Sequence, residues 1–290
     1  MGTSASSTGP NNQSPLVPPW ANQGEPIKFG SGDETDKNHD QSDNDDQEID
    51  NGKVQKKILG PTQEPAPPGR LAGARKSFGE YAKGGGDSSK LRSSLRKYAK
   101  GSGGGSGTSR RLASGISAGT GLLRMMSGDS VTINNTTLSL SALNGLTKDQ
   151  VIDRITEHLT PRNGDADAVR IALDYALAEA LPDEQDFNVD AITEDVMHEA
   201  LSCYLTDLIF QDIVTGMGKA WFYTEHASKH HRMEEELREL VKVVTQEQVE
   251  RLTHGSRDNI TRDNITRDNI TQLQIDAITQ TVEFWESYND

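Results

Sequence analysis

The sequence predicts an all-α protein, with a helical bundle in the C-terminal half preceded by a long, largely disordered N-terminal region. Apolar residues recur at intervals of three and four from about residue 145 onward, and no segment shows convincing strand alternation. Residues 1–69 are instead rich in prolines, acids and small polar residues. Segments of that composition cannot bury enough apolar surface to offset the entropy lost on folding.

Residues 1–69 are therefore expected to form an acidic disordered tail, with five Lys/Arg against eleven Asp/Glu. As a flexible coil the tail would span about 45 Å root-mean-square. Its segment PLVPPW (15–20) favours an extended polyproline conformation and presents Leu16, Val17 and Trp20 as a candidate docking strip. The alternative is an incidental exposed tryptophan.

Residues 70–127 are interpreted as a basic Gly/Ser-rich linker with short helices. Within them, residues 70–124 carry twelve Lys/Arg against two acids. FGEYAKGGG (78–86) is echoed by LRKYAKGSG (95–103), and Leu91, Leu95 and Tyr98 fall at helical spacing. The run GSGGGSGTS (101–109) is typical of a flexible linker, and RRLASGISAGTGLLRMM (110–126) fits either a small-residue helix or a loop.

Two interpretations of this basic segment remain open. It could bind nucleic acid by neutralising phosphates, with Phe78, Tyr81 and Tyr98 stacking on bases. It could instead dock on an acidic partner, or on the acidic bundle of the same chain. The candidate partner-binding residues in this segment are Tyr81, Tyr98, Arg110 and Arg111.

Residues 128–290 are expected to form an acidic α-helical partner-binding domain with five helices. The first is capped by Thr147 and Gln150 and stops at Pro161, and the second ends at Pro182. The third helix begins near Ala191. The fourth covers MEEELRELVKVV (233–244), with a short extension capped by Thr245–Gln248. The fifth covers ITQLQIDAITQTVEFW (270–285).

A pentapeptide, RDNIT, is repeated three times over residues 257–271. A period of five matches neither the 3.6 residues of a helical turn nor the alternation of a strand. The repeat is therefore interpreted as a tandem expansion within a surface loop, and the alternative is a short solenoid-like ligand.

The sequence contains no recognisable active site, so no catalytic activity and no cofactor are expected. His226, His230 and Glu234 stand four residues apart and could hold a metal, but an exposed His/Glu face explains the same spacing. The single cysteine, Cys203, lies in an apolar run and is expected to be a small core residue. One cysteine, no secretory signal and no membrane-spanning stretch together predict a cytoplasmic protein.

Gly2 is the candidate modification site. Once the initiator methionine is removed, its α-amine has an ordinary pKa of about 7.7–8.0, compared with about 10.4 for a lysine. Gly2 would then be the most nucleophilic amine of the chain. Met1-Gly2 followed by Ser6 also fits a myristoylation pattern, but that alternative needs a eukaryotic transferase.

The start MGTSASSTGP, PLVPPW, the two YAKG segments, RRLASGISAGTGLL and the acidic helical C-terminal half together resemble the QatB family. This family is the B component of the four-gene bacterial Qat anti-phage systems. The resemblance covers most of the chain apart from the acidic stretch 33–50 and the RDNIT repeat. It implies an intracellular antiviral role beside an ATPase, a QueC-like enzyme and a TatD-like DNase.

QueC enzymes activate a deazaguanine carboxylate with ATP and amidate it, so the resemblance leads to a hypothesis for Gly2. A QueC-like partner would join such a carboxylate to the Gly2 amine, with PLVPPW and the basic segment as docking surfaces. The rival hypothesis is a nucleic-acid-binding adaptor that recruits the TatD-like nuclease through the basic segment. A metal enzyme built on His226, His230 and Glu234 is a third alternative.

Overall fold

Most residues lie in α-helices in the computed structural model, which describes residues 69–84, 88–223, 227–254 and 266–288. The predicted all-α class is confirmed for these residues, with one small β-hairpin added. The helices of the described residues are α1 (Ala72–Gly84), α2 (Ser88–Gly101), α3 (Gly104–Arg111), α4 (Ala113–Met126), α5 (Lys148–Leu159), α6 (Ala166–Ala180), α7 (Glu194–Met217), α8 (Ala227–His254) and α9 (Arg267–Glu286), and the strands are β1 (Val131–Ile133) and β2 (Thr136–Leu138).

The internal echo of the sequence corresponds to two helices that pack against each other, α1 and α2. Equivalent positions of the echo are buried in both helices, Phe78 with Leu95 and Tyr81 with Tyr98. The lysines that follow each tyrosine are exposed. The repeated YAKG segment therefore places one tyrosine in the core and one lysine in solvent at the end of each helix.

Helix α3 occupies most of the run that was expected to be a flexible linker, residues 101–109. Its sequence is GGSGTSRR, and glycine is a poor helix former. The helix forms because its small residues allow close approach to α9: a Cβ at Gly105 would lie 2.6 Å from the carbonyl oxygen of Thr279. The linker expectation missed this, since glycine permits tight packing as well as flexibility.

Helix α4 lies at the centre of the fold, where it contacts α5, α6, α7 and α9. The amide Nε2 of the buried Gln274 donates to Thr120 Oγ1 at 2.9 Å and to the carbonyl oxygen of Ile116 at 3.2 Å. These bonds join α9 to α4. The segment 110–126, for which a helix or a loop was expected, is thus mainly a buried helix.

The β-hairpin was not expected from the sequence. Strands β1 and β2 pair antiparallel, with Val131 opposite Leu138. Asn134 and Asn135 connect them with φ angles of 49° and 63°, the backbone that a two-residue type I′ turn requires. Strands of three residues are too short to show clear alternation, which explains the missed assignment.

Helices α5 and α6 confirm the predicted spacing and boundaries. The capping box of Thr147 and Gln150 is present, and α5 ends at Leu159, two residues before Pro161. Helix α6 ends at Ala180, two residues before Pro182. The apolar stripes of both helices are buried, namely Val151, Ile155, Leu159, Val169, Leu173 and Leu177.

Helix α7 starts later than expected, and helix α8 is longer than expected. Helix α7 begins at Glu194, after Thr193 accepts a hydrogen bond from the Val196 amide, rather than near Ala191. Helix α8 continues to His254, so Thr245 and Gln248 lie buried within it instead of capping a separate extension. Cys203 on α7 is buried, as predicted.

The third RDNIT copy, residues 267–271, forms the first turn of α9 rather than part of a loop. The side chain of Thr266 and that of Asn269 form a capping box at its N-terminus. A repeat that contains its own Thr-x-x-Asn cap can begin a helix, which its period of five did not reveal. Residues 257–265 lie outside the described residues.

All described residues belong to one structural unit, Thr62–Asp290. Helices α2 and α3 pack on α9, so the boundary expected between residues 127 and 128 does not divide the fold. The tail expected over 1–69 lies, up to residue 68, outside the described residues. Among the helices that the structure describes, none is long and apolar enough to cross a bilayer.

Candidate functional site

Tyr98 and Arg111, two of the predicted partner-binding residues, meet inside the protein at Asp212 on α7. The Tyr98 hydroxyl donates a hydrogen bond to Asp212 Oδ2, and Arg111 Nη2 donates to the same oxygen at 2.7 Å. Arg111 Nη1 also donates to the Ser102 carbonyl oxygen at 2.8 Å. This cluster joins α2, α3 and α7.

The cluster holds a neutral phenol beside an ion pair. Burial raises the pKa of Tyr98, and the charge of Asp212 raises it further. Burial alone lowers the pKa of Arg111, but its hydrogen bond to Asp212 and the charge of that carboxylate outweigh burial, so the net direction is upward. Tyr98 therefore keeps its proton near neutral pH and acts as a hydrogen-bond donor rather than as an acid or base.

A cavity of about 380 Å³ opens beside this cluster, where the described chain begins at Gly69. It is lined by three arginines (Arg70, Arg75 and Arg111) and one carboxylate (Asp212), together with Gly69, Leu71, Tyr98, Thr215 and Gly216. Arg75 Nε is held by the Gly216 carbonyl oxygen at 2.8 Å. An excess of guanidinium groups makes this cavity suited to an anionic or polar group of a partner.

Tyr81 has a similar buried position on the other helix of the pair. Its hydroxyl donates to Glu236 Oε2 of α8 at 2.5 Å, and burial raises its pKa. Glu236 also lines a larger cavity of about 850 Å³ between α2, α6 and α8. A ring that stacks on a base must be exposed, so the buried Tyr81 and Tyr98, like Phe78, stabilise the fold rather than offer stacking faces.

Of the four predicted partner-binding residues that the structure describes, Arg110 alone is exposed. Arg111 is half-buried at the cluster, and both tyrosines are in the core. The candidate residues of the tail, Gly2, Leu16, Val17 and Trp20, lie outside the described residues. Their roles stay predictions.

Two of the three candidate metal ligands, His230 and Glu234, contact other side chains rather than each other. His230 stacks parallel to Phe222 and meets the edge of Trp221, and Glu234 pairs with Arg238 at 3.4 Å. His226 lies outside the described residues. No group of three or more metal-ligating side chains occurs among the residues that the structure describes.

Cys203 is protected from reaction by its surroundings. Its thiol donates to Glu199 Oε1 at 3.2 Å, and burial, with help from that carboxylate, raises its pKa to about 12. The thiolate is the reactive form of cysteine. At neutral pH Cys203 is therefore an inert thiol of the core.

Sequence reasoning missed a buried ion pair between α7 and α8. Asp207 is fully buried and accepts a hydrogen bond from Arg238, whose guanidinium lies 4.1 Å from the centroid of the Phe210 ring. Gln211 Nε2 donates to the other Asp207 oxygen at 3.3 Å. The signal was present in the run YLTDLIF, where a single acid interrupts a mainly apolar stretch of α7.

The buried tyrosines predict a loss of stability at alkaline pH. An unfolded tyrosine ionises near pH 10, and burial raises the pKa of Tyr98 in the folded protein. Its contribution is fully present below about pH 10 and decreases as the pH rises above that value, by up to about 1.4 kcal/mol per pH unit. Tyr98→Phe should reduce the alkaline slope of the unfolding free energy by that amount, measured by urea unfolding at a series of pH values. An unchanged slope would contradict a desolvated phenol.

The family of the chain follows from comparison with known proteins. A family model described as Qat anti-phage system associated protein QatB matches residues 103–284. The match begins just before α3 and ends within α9, so it includes Arg111, Asp212 and the Asp207–Arg238 pair. No curated protein and no solved structure shows significant similarity to the chain. Because the matched residues make up more than half of the sequence, the chain belongs to the QatB family, the proteins associated with the Qat anti-phage system.

Proposed function

We propose that this protein acts in the Qat defence complex as a non-catalytic substrate and adaptor. Its folded body binds a partner, and its Gly2 amine accepts a deazaguanine carboxylate from a QueC-like enzyme. Membership of the QatB family supports the role in defence. The other proposed partners are the ATPase and the TatD-like DNase of the same system, in the cytoplasm.

The protection of the Cys203 thiol and the Tyr204 hydroxyl is the observation that favours the α-amine. The Cys203 thiol has a pKa of about 12. Burial also raises the pKa of Tyr204, whose hydroxyl donates to the Gly115 carbonyl oxygen at 2.7 Å. An α-amine of ordinary pKa is free to the extent of roughly a tenth to a third near neutral pH, whereas a lysine is free only to about a thousandth.

The proposed reaction forms one amide bond. The carboxylate of the deazaguanine attacks the α-phosphate of ATP on the QueC-like enzyme and releases pyrophosphate. The Gly2 nitrogen then attacks the acyl carbon of the resulting acyl nucleotide. The nucleotide leaves with the electron pair of the broken C–O bond, and the amine loses one proton. In this reaction the protein supplies only the nucleophile.

Intact-protein mass spectrometry tests this proposal. The full chain is co-expressed with its Qat partners under conditions in which defence is active, and an added mass is expected on the N-terminal peptide that begins at Gly2. Gly2→Glu, which retains the initiator methionine and presents no glycine amine, should remove both the added mass and phage protection.

Gly9→Glu is the matched control, because it places the same charge seven residues further along the same segment. It should keep both the modification and the protection. An unmodified Gly2 in defence-active cells would refute the proposal, as would full protection by the Gly2→Glu protein.

A further inference from the structure

Two consecutive aromatic residues, Phe222 and Tyr223, lie on the surface where α1 meets the start of α8. Their side chains are 73% and 47% exposed. They follow the buried Trp221, and Phe222 is the last residue of a short 3-10 helix, Gly218–Phe222. We call Phe222 and Tyr223 the aromatic platform.

The platform has a rigid backing. Trp221 stacks on the buried Phe78 with ring centroids 5.5 Å apart. The Phe222 ring stacks on the His230 ring, with centroids 6.2 Å apart and an angle of 10° between the ring planes. The Tyr223 ring lies directly on Gly79 of α1. A Cβ at Gly79 would lie 2.9 Å from Cδ2 of Tyr223. Rings held in this way present their outer faces without an entropic cost on binding.

Positive charges surround the platform. Lys83 Nζ lies 5.1 Å from the centroid of the Tyr223 ring. Lys76, Gly79 and Lys83 follow one another at intervals of three and four, so the exposed Lys76 shares the face of α1 that carries Tyr223. Lys219 is three residues before Phe222 in the 3-10 helix, a spacing that aligns the two side chains.

Helices α1 and α2, next to the platform, contain further basic residues. Helices α1 and α2 together contain eight Lys/Arg, and Glu80 is their single acidic residue. Two further exposed cations, Lys229 and Arg232, lie in the first turns of α8. The helices around the platform are thus basic, although residues 125–290 carry 31 Asp/Glu against thirteen Lys/Arg.

We infer that the aromatic platform and the surrounding lysines bind single-stranded nucleic acid. Exposed rings accept unpaired bases by stacking, and lysines spaced along a helix neutralise the phosphates between them. Duplex bases are already stacked on one another and leave Phe222 and Tyr223 without a ligand. An acidic peptide would use the lysines but would gain little from the exposed parts of the two rings. The inference uses none of the residues of the proposed modification, so it stands or fails independently of that proposal.

Fluorescence anisotropy of the full chain tests the inference, with a labelled single strand of about 20 nucleotides and the matching duplex as probes. Single-strand binding should exceed duplex binding. Phe222→Ala and Tyr223→Ala should each weaken it at least about fivefold. Lys76→Ala and Lys83→Ala should each lower the slope of log affinity against log salt by about 0.7, measured between about 50 and 200 mM NaCl.

Phe284→Ala and Arg251→Ala are the matched controls, because they remove an exposed ring and an exposed cation elsewhere on the surface. Both should bind the single strand as the unaltered protein does. Three results would overturn the inference: no binding, binding that does not depend on Phe222 and Tyr223, or equal affinity for the duplex. Ring-dependent binding of polyglutamate with the same affinity would also overturn it, in favour of an acidic protein partner.

Discussion

Replacing Arg238 by methionine is expected to lower the free energy of unfolding by about 3–5 kcal/mol. Methionine keeps much of the side-chain volume beside Phe210, so the change removes mainly charge. The Asp207 carboxylate, which is fully buried, would then retain only the Gln211 amide as a partner. An uncompensated buried charge is costly because the protein interior solvates it poorly.

Urea unfolding measures this effect directly, and a thermal scan should show a decrease in Tm of roughly 10 °C. Arg251→Met is the matched control on the same helix. Arg251 pairs with Glu247 at the surface, where both side chains are largely exposed, so less than about 0.5 kcal/mol should be lost.

The paired substitution separates charge from packing. Asp207→Leu together with Arg238→Met removes both charges and should restore most of the stability lost in the single variant, because an apolar pair of similar volume replaces a buried ion pair with little cost. A loss below about 1 kcal/mol in Arg238→Met alone would contradict a desolvated Asp207 carboxylate.

Gly105→Val is expected to destabilise the protein by about 3 kcal/mol, at the upper end of the usual cost of overpacking. A Cβ at this position would lie 2.6 Å from the Thr279 carbonyl oxygen and 2.7 Å from its Cα atom. Both are backbone atoms of α9, so no side-chain rotation relieves the overlap. The two helices would have to move apart, and the packing between α3 and α9 would be lost.

Ser106→Val is the control, since it places the same side chain on the exposed face of the same helix. It should change the unfolding free energy by only a few tenths of a kcal/mol. In a flexible linker the two variants would behave alike, and Gly105→Val would be harmless. Equal unfolding midpoints in urea would therefore restore the linker interpretation and contradict the helix.

The predictable part of the fold was the part in which local pattern and tertiary packing agree. Helix α5 illustrates this: Thr147 and Gln150 cap it, its apolar stripe faces the core, and Pro161 follows its end. Helix α3 shows the opposite case. Its glycines argue against a helix locally, and only the approach of Thr279, far along the chain, explains why it forms.

The candidate site was predictable in residue identity but not in position. Tyr98 and Arg111 were selected as partner-binding residues because their segment has a large excess of Lys/Arg and contains aromatic residues. Their hydrogen-bond partner, Asp212, lies on another helix about a hundred residues later in the sequence. Phe222 and Tyr223 were passed over because GKAWFY reads as a helix end, and only the fold shows which of its three rings face solvent.

The contact between α3 and α9 determines when this protein can complete its structure during translation. About 150 residues separate Arg111 from Arg267, so α9 leaves the ribosome on the order of ten seconds after the glycine-rich helix. During that interval residues 104–111 have neither the intrinsic propensity nor the neighbour needed to become helical. The packing of α3 and α2 against α9 therefore forms only after α9 has left the ribosome, and until then the glycine-rich segment lacks the neighbour that stabilises it.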